Sequence, residues 1–140
     1  MSDVKPTAVV GLMWEDGLRF TASSRNITWT LDGHNEAGPG PVVVMASALA
    51  GCMAIDLVHI LTRGRHRVAS LEAELTGRRA DTNPKRFTRI DLAFKLATSA
   101  PVEAVERAID LSRETYCSVW QSMRQDIEFV TSIDLTAVEK

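Results

Sequence analysis

The sequence predicts one α+β domain spanning residues 1–140, with elements in the order βββ-α-ββ-α-α-β and antiparallel sheets around a buried central helix. Three observations predict it. Segments alternating with a period of two residues come in a triplet and a pair rather than one by one between helices, which favours an antiparallel α+β arrangement over a parallel α/β one. A single proline-led apolar run, Val42 to Leu61, stands between the groups. The 140 residues are 45% hydrophobic and 24% charged, an ordinary globular balance at a length that suits one core.

The elements follow in order. Thr7 to Trp14 is apolar and strand-prone, and Asp16-Gly17 supplies the positive φ of a tight hairpin before a second strand begins at Leu18. In Asn26 to Leu31, Ile27, Trp29 and Leu31 alternate with Thr28 and Thr30, the signature of a strand with one buried face, and Asp32-Gly33 ends it. Gly38-Pro39-Gly40-Pro41 is a loop. Pro41 suits the first position of a helix running to about Arg63, with Gly64 as its C-cap. Leu71, Ala73 and Leu75 mark the next strand, and Ile90, Leu92, Phe94 and Leu96 the one after a polar loop containing Asn83-Pro84. Ser99 and Pro101 open a second helix, in which Val102, Val105, Ile109 and Ser112 recur at helical spacing to about Tyr116. A short helix restarts at Ser118, and Ile127, Phe129, Thr131, Ile133 and Leu135 form a last strand.

Composition removes several functions. The 16 basic and 18 acidic residues leave a net charge of -2 with no block of Lys or Arg to follow a phosphate backbone, so nucleic acid is not an expected partner. Two cysteines, Cys52 and Cys117, are too few for a disulfide scaffold or a four-cysteine metal site. Met1 to Pro6 carries Asp3 and Lys5 and no apolar core of a leader, which gives a cytoplasmic protein by default. The Val42–Leu61 run is long enough to cross a bilayer, but it contains Ser47, Gly51, Asp56 and His59, and a mid-helix carboxylate costs about 2.5–3.5 kcal/mol on insertion. The expectation is no membrane partner and a helix surrounded by protein on every side. A small sheet covers one face of such a helix. Ala46, Ala48, Ala50 and Gly51 permit close approach of a second, so the other face calls for a symmetric homodimer.

The cysteines are the candidate chemistry. Cys52, inside the apolar helix, reads either as a small inert hydrophobe or as a reactive thiol. Cys117 lies at the junction of two helical segments, where backbone N–H groups can stabilise a thiolate; it reads either as a cap-region residue or as a second reactive thiol.

Gly40-Pro-Val-Val-Val-Met-Ala-Ser-Ala-Leu-Ala-Gly-Cys52-Met-Ala-Ile-Asp-Leu-Val resembles the central helix of the OsmC/Ohr family, a Pro-led apolar helix ending in Ala-Gly-Cys or Ala-Ala-Cys. Tyr116-Cys117-Ser-Val-Trp resembles its second cysteine motif. The two cysteines are 65 positions apart (117 minus 52), which also fits the family. Asn83-Pro-Lys-Arg-Phe-Thr-Arg-Ile90 is similar to the family's stretch before a strand, in its branch of small OsmC-like proteins. The resemblance implies an intertwined homodimer and a thiol peroxidase that reduces organic hydroperoxides in oxidative-stress defence. It makes Cys52 the peroxidatic and Cys117 the resolving residue, names a dithiol as reductant, and calls for no metal or organic cofactor.

One part of the family pattern is missing. Active members place a Glu nine or ten positions before the first cysteine, together with an Arg from the N-terminal strands. Here those helix positions hold Val43 and Val42, and Arg19, then Arg25, are the candidate arginines. This departure motivates the alternative of a catalytically weak or inactive OsmC-like dimer that binds a small apolar ligand. Asp56, one turn beyond Cys52, opposes a thiolate if it faces the sulfur. His59 is about 10.5 Å along the helix from Cys52, too far for direct proton transfer, and His34 and His66 fall in loops without an assigned role. Trp14, Trp29 and Trp120 are expected in the core or at an interface, where they can also wall a pocket beside the cysteines.

Overall fold

A computed structural model describes residues 6–140; the leader-free reading of Met1–Lys5 lies outside the described residues. The described chain forms two compact units, one ending at Met45 and one running from Ala46 to Lys140. The predicted order of strands and helices is the observed one.

The first unit is an antiparallel meander of β1 (Gly11–Asp16), β2 (Arg19–Ser24) and β3 (Ile27–Asp32). The β1–β2 connection uses Gly17 at φ +51, as the Asp-Gly pair requires, and pairs Asp16 with Arg19. The β2–β3 connection instead places Arg25 at φ +56, so this candidate arginine occupies a hairpin tip rather than a strand. Gly38 has a close-packing role: a Cβ there would stand 2.5 Å from the backbone oxygen of Thr30.

Asp32 organises the end of this unit. Its carboxylate is 1% exposed and accepts backbone N–H groups from Ala37 (2.9 Å) and His34 (2.8 Å), and its Oδ2 lies 3.3 Å from Nε of Arg19. The Ala37 and His34 donors, aided by Glu36 N–H and the Arg19 charge, overcome burial and hold the carboxyl down at about 2. Because the folded value lies below the ordinary 3.8, this stabilisation is complete above about pH 4 and is lost as pH falls through about 2. Thermal melts of wild type and Asp32→Asn should therefore differ by a constant amount from pH 7 to 5 and converge at lower pH. A gap that persists unchanged at pH 2 would refute this role.

Helix α1 (Pro41–Arg63) starts at the end of the first unit and continues into the second. Its end differs from the expected glycine cap. His66 N–H bonds to Leu61 C=O and Arg65 N–H to Thr62 C=O, both 3.0 Å, and the left-handed position is Arg65 at φ +64 rather than Gly64. The double hydrogen bond holds this arrangement although a non-glycine residue occupies it. α1 is long and apolar enough to cross a membrane, with a mean hydropathy of 2.0. Its burial is narrower than expected: Leu49, Met53, Leu57 and Leu61 form one fully covered stripe at i, i+4 spacing, whereas Ile55 is 70% exposed and Val43 51%. One chain therefore covers one face of the helix, the stripe that such spacing defines.

The second sheet has the order β4 (Val68–Arg79), β5 (Phe87–Thr98) and β6 (Glu128–Ala137). β4 and β5 are antiparallel, but β6 runs parallel to β5, from Arg89 opposite Glu128 to Thr98 opposite Ala137. This corrects the wholly antiparallel expectation. The chain between β5 and β6 passes through two helices, which is the long crossover that parallel pairing needs. Ile90, Leu92, Phe94 and Leu96 on the central strand are buried at alternate positions, joined in the core by Val105 and Ile109 from α2 (Val102–Leu111). Pro101 is the N-cap of α2, and Ser99 Oγ instead accepts the N–H of Arg67 at 2.8 Å.

Candidate active site

The candidate site lies wholly within the second unit and begins at the end of α2. Ordinary helical hydrogen bonding stops at Leu111, and Ser112–Tyr116 form a single wider π-turn closed by Cys117 N–H to Ser112 C=O at 2.7 Å. Short π segments are uncommon and concentrate at functional places. Cys117 then leaves the helical region (φ -75, ψ 97) and becomes the N-cap of α3 (Ser118–Gln121), its Sγ accepting the N–H of Trp120 at 3.3 Å. The long second helix expected to reach Tyr116 is thus α2 plus a π-turn, and the expected restart at Ser118 is present.

Packing holds this cap in place. Trp120 is buried and meets Phe129 with ring centroids 4.5 Å apart. The Arg113 guanidinium lies over both rings, 5.6 Å and 4.7 Å from their centroids, and donates to the Phe129 carbonyl at 2.8 Å. Trp120 is the core residue the alternation predicted. Trp14 is exposed, with its indole N–H donating to the Gly17 carbonyl at 2.9 Å, and Trp29 is half-buried.

The two cysteines lie near enough to influence each other. Both are free thiols, Cys117 fully buried and Cys52 half-buried on α1. Burial pushes the Cys117 thiol up to about 11, against the opposing pull of the Trp120 N–H, and a hydrogen bond to Cys52 adds to the rise. Near neutral pH Cys117 is therefore an S–H group in the neighbourhood of Cys52. The pair combines a half-buried cysteine with a fully buried one that keeps its proton.

Asp56 and Ser112 complete the surroundings. Ser112 is fully buried, and its hydroxyl donates to Asp56 Oδ2 at 2.7 Å. The carboxylate, read from sequence as a charge opposing a thiolate, has a hydrogen-bond partner of its own. Ser112 is the site residue that sequence reasoning missed: it was read as one apolar-face position of a helix, and its partner lies 56 positions away.

Arg19 belongs to the first unit. It contacts Asp32 at 3.3 Å and Glu36 at 3.6 Å within the first unit. No acidic residue stands in the first turn of α1, where Val42 and Val43 lie. His59 is exposed on α1 and His34 is in a loop, as expected. His66 follows the helix end, and its Nδ1 is a buried atom without a hydrogen-bond partner. Among the described residues no group of three or more His, Cys, Asp and Glu side chains is arranged to hold a metal ion.

Known proteins resemble this chain in sequence and in fold. The chain is 37% identical over 130 residues to Protein YhfA of Escherichia coli K12, covering 89% of this chain and 95% of that protein. A hypothetical protein from Aquifex aeolicus superposes with a TM-score of 0.89 at 24% identity, covering 96% of this chain and all of the other. An organic hydroperoxide resistance protein from Elizabethkingia anophelis has the same fold at a TM-score of 0.70 and 12% identity, covering 96% of this chain and all of its own. The family model described as OsmC-like protein matches residues 33–132, a span that includes both cysteines, Asp56 and Ser112. On these grounds the chain belongs to the OsmC-like family, and its fold is the α+β fold of that family.

Proposed function

We propose that this protein is a cysteine-based thiol peroxidase that reduces organic hydroperoxides, with Cys52 peroxidatic and Cys117 resolving, as one homodomain in a homodimer of the cytoplasm. The observation that carries the reading is the nearness of Cys52 and Cys117, with Cys117 buried and held protonated and Cys52 half-buried. The Elizabethkingia protein of the same fold, named for organic hydroperoxide resistance, supports the substrate class. Apolar residues left uncovered by one chain, among them Ile55 on α1 and Met13 and Trp14 on β1, support a second copy as partner.

In this chemistry the Cys52 thiolate attacks the distal oxygen of the hydroperoxide. The O–O bond breaks, the alkoxide leaves as an alcohol after taking a proton, and Cys52 becomes a sulfenic acid. Cys117 sulfur then attacks the Cys52 sulfur; the S–O bond breaks and the hydroxyl departs as water with the Cys117 proton. A small dithiol reduces the resulting disulfide to two thiols and is itself oxidised to a disulfide. No step uses a metal or organic cofactor. A Cβ at Gly51 would meet nothing within 4 Å, so the helix surface beside Cys52 is open to approach.

The test is consumption of an alkyl hydroperoxide in the presence of a dithiol. Wild type should consume it many times faster than a Cys52→Ser/Cys117→Ser double variant, and equal rates would end the proposal. The absence of an acidic residue in the first turn of α1 favours a second reading, a dimer that binds a small apolar ligand without turnover. Under that reading Cys52 is alkylated by iodoacetamide no faster than an ordinary free thiol, and a bound apolar molecule is released on denaturation.

A further inference from the structure

We propose that Asp56 is the positioning residue for the second cysteine: through the buried Ser112 hydroxyl it fixes the π-turn that places Cys117 near Cys52. This deepens the peroxidase reading and rests on it for its functional meaning. Cys52 and Asp56 are four residues apart on α1, so they occupy adjacent turns of one helix face. Asp56 Oδ2 takes the Ser112 Oγ–H at 2.7 Å, and Ser112 C=O takes the Cys117 N–H at 2.7 Å. These two hydrogen bonds tie α1, one turn beyond Cys52, to the backbone N–H of Cys117.

Each link has a physical reason to be rigid. A buried serine in a helix commonly bonds back to a carbonyl one turn earlier; the Ser112 hydroxyl, fully buried, instead reaches across to Asp56 on α1. A hydrogen bond to a carboxylate is stronger and shorter than one between neutral groups. The π-turn has one residue more per closed ring than an α-turn, so the same five residues could revert to α-helical bonding and swing Cys117 away from α1. Anchoring Ser112, the residue whose carbonyl closes the wider turn, opposes that reversion.

For the resolving step the consequence is an effective concentration. The Cys117 S–H must reach the Cys52 sulfenic acid before a second hydroperoxide does, since further oxidation gives a sulfinic acid that a thiol does not reverse. A loosened π-turn slows S–S formation and so raises the share of Cys52 that is oxidised further.

The experiment uses the full chain and a glutathione redox buffer, reading the Cys52–Cys117 disulfide equilibrium and thus the effective molarity of the pair. Asp56→Ala and Ser112→Ala should each lower it by about tenfold, the loss of one charge-assisted hydrogen bond. Asp56→Asn, which keeps an acceptor oxygen for Ser112, should recover most of that loss. If Asp56→Ala does not fold, Ser112→Ala and Asp56→Asn carry the same comparison. Alanine variants with a lowered melting temperature but an effective molarity within twofold of wild type would overturn the proposal, and so would an asparagine variant as impaired as alanine. With an alkyl hydroperoxide as oxidant, the alanine variants should accumulate more Cys52 sulfinic acid per first oxidation than wild type. A wild type inert to hydroperoxide whose disulfide equilibrium still depends on Asp56 would remove the peroxidase reading and keep the positioning role.

Discussion

Cys52→Ser is expected to abolish hydroperoxide turnover, lowering the rate by roughly three orders of magnitude or more, as removal of an attacking atom does in other nucleophilic enzymes. Cys117→Ser should behave differently. Cys117 is buried, and its thiol is pushed up to about 11, so it is not the group that meets hydroperoxide from solution. Its replacement leaves a first oxidation at Cys52 and removes the partner that condenses with it. Rapid mixing with one equivalent of an alkyl hydroperoxide should therefore show a single-turnover burst in Cys117→Ser and none in Cys52→Ser. Mass spectrometry should find the oxygen adduct on Cys52. A burst in Cys52→Ser, with the adduct on Cys117, would reverse the assignment of roles.

The largest effect on folding is expected at Phe94. It is 1% exposed on β5, the strand that pairs with both of its neighbours, and it lies between Leu92 and Leu96 on the covered face. Truncation to alanine removes most of a buried ring and leaves a cavity walled by strands that cannot close on it, a change that typically costs 3–5 kcal/mol, so about that much is expected here. Phe94→Leu keeps more of the volume and should cost much less. Urea unfolding followed by circular dichroism measures both, and equal midpoints for the two variants would show that the site relaxes freely. Because β5 carries the pairing of β6 as well as β4, the alanine variant should weaken protection of the β6 amides along with its own.

Much of the fold was legible because the deciding signals are local. Pro41 marks the start of α1, Ile27, Trp29 and Leu31 give β3 its period, and Asp16-Gly17 marks the hairpin. The direction of β6 was not legible, since nothing in Ile127–Leu135 distinguishes a parallel from an antiparallel neighbour; that choice follows from the path through α2 and α3. The Arg65 helix end escaped notice because Gly64, one residue earlier, carries the usual signal. At the site, the cysteine positions were readable from their motifs, but their surroundings were not. The π-turn has no composition of its own, and the Asp56–Ser112 bond joins two helices far apart in sequence. Arg19 shows the opposite limit: its strand position was readable, while its pairing with Asp32 and Glu36 depends on how the loop after β3 returns.

The Sγ of Cys117 serves as a hydrogen-bond acceptor for the Trp120 amide as well as a neighbour of Cys52. A sulfur drawn into a covalent bond with Cys52 is repositioned and becomes a poorer acceptor, so oxidation withdraws the cap of α3 at the moment it joins the two helices. The Trp120 indole is packed on Phe129 beneath the Arg113 cation, three residues from that sulfur. Under the proposed disulfide chemistry its emission is expected to change on oxidation, an optical signal read as the difference between wild type and Trp120→Phe, and identical difference spectra before and after oxidation would show that the cap does not respond.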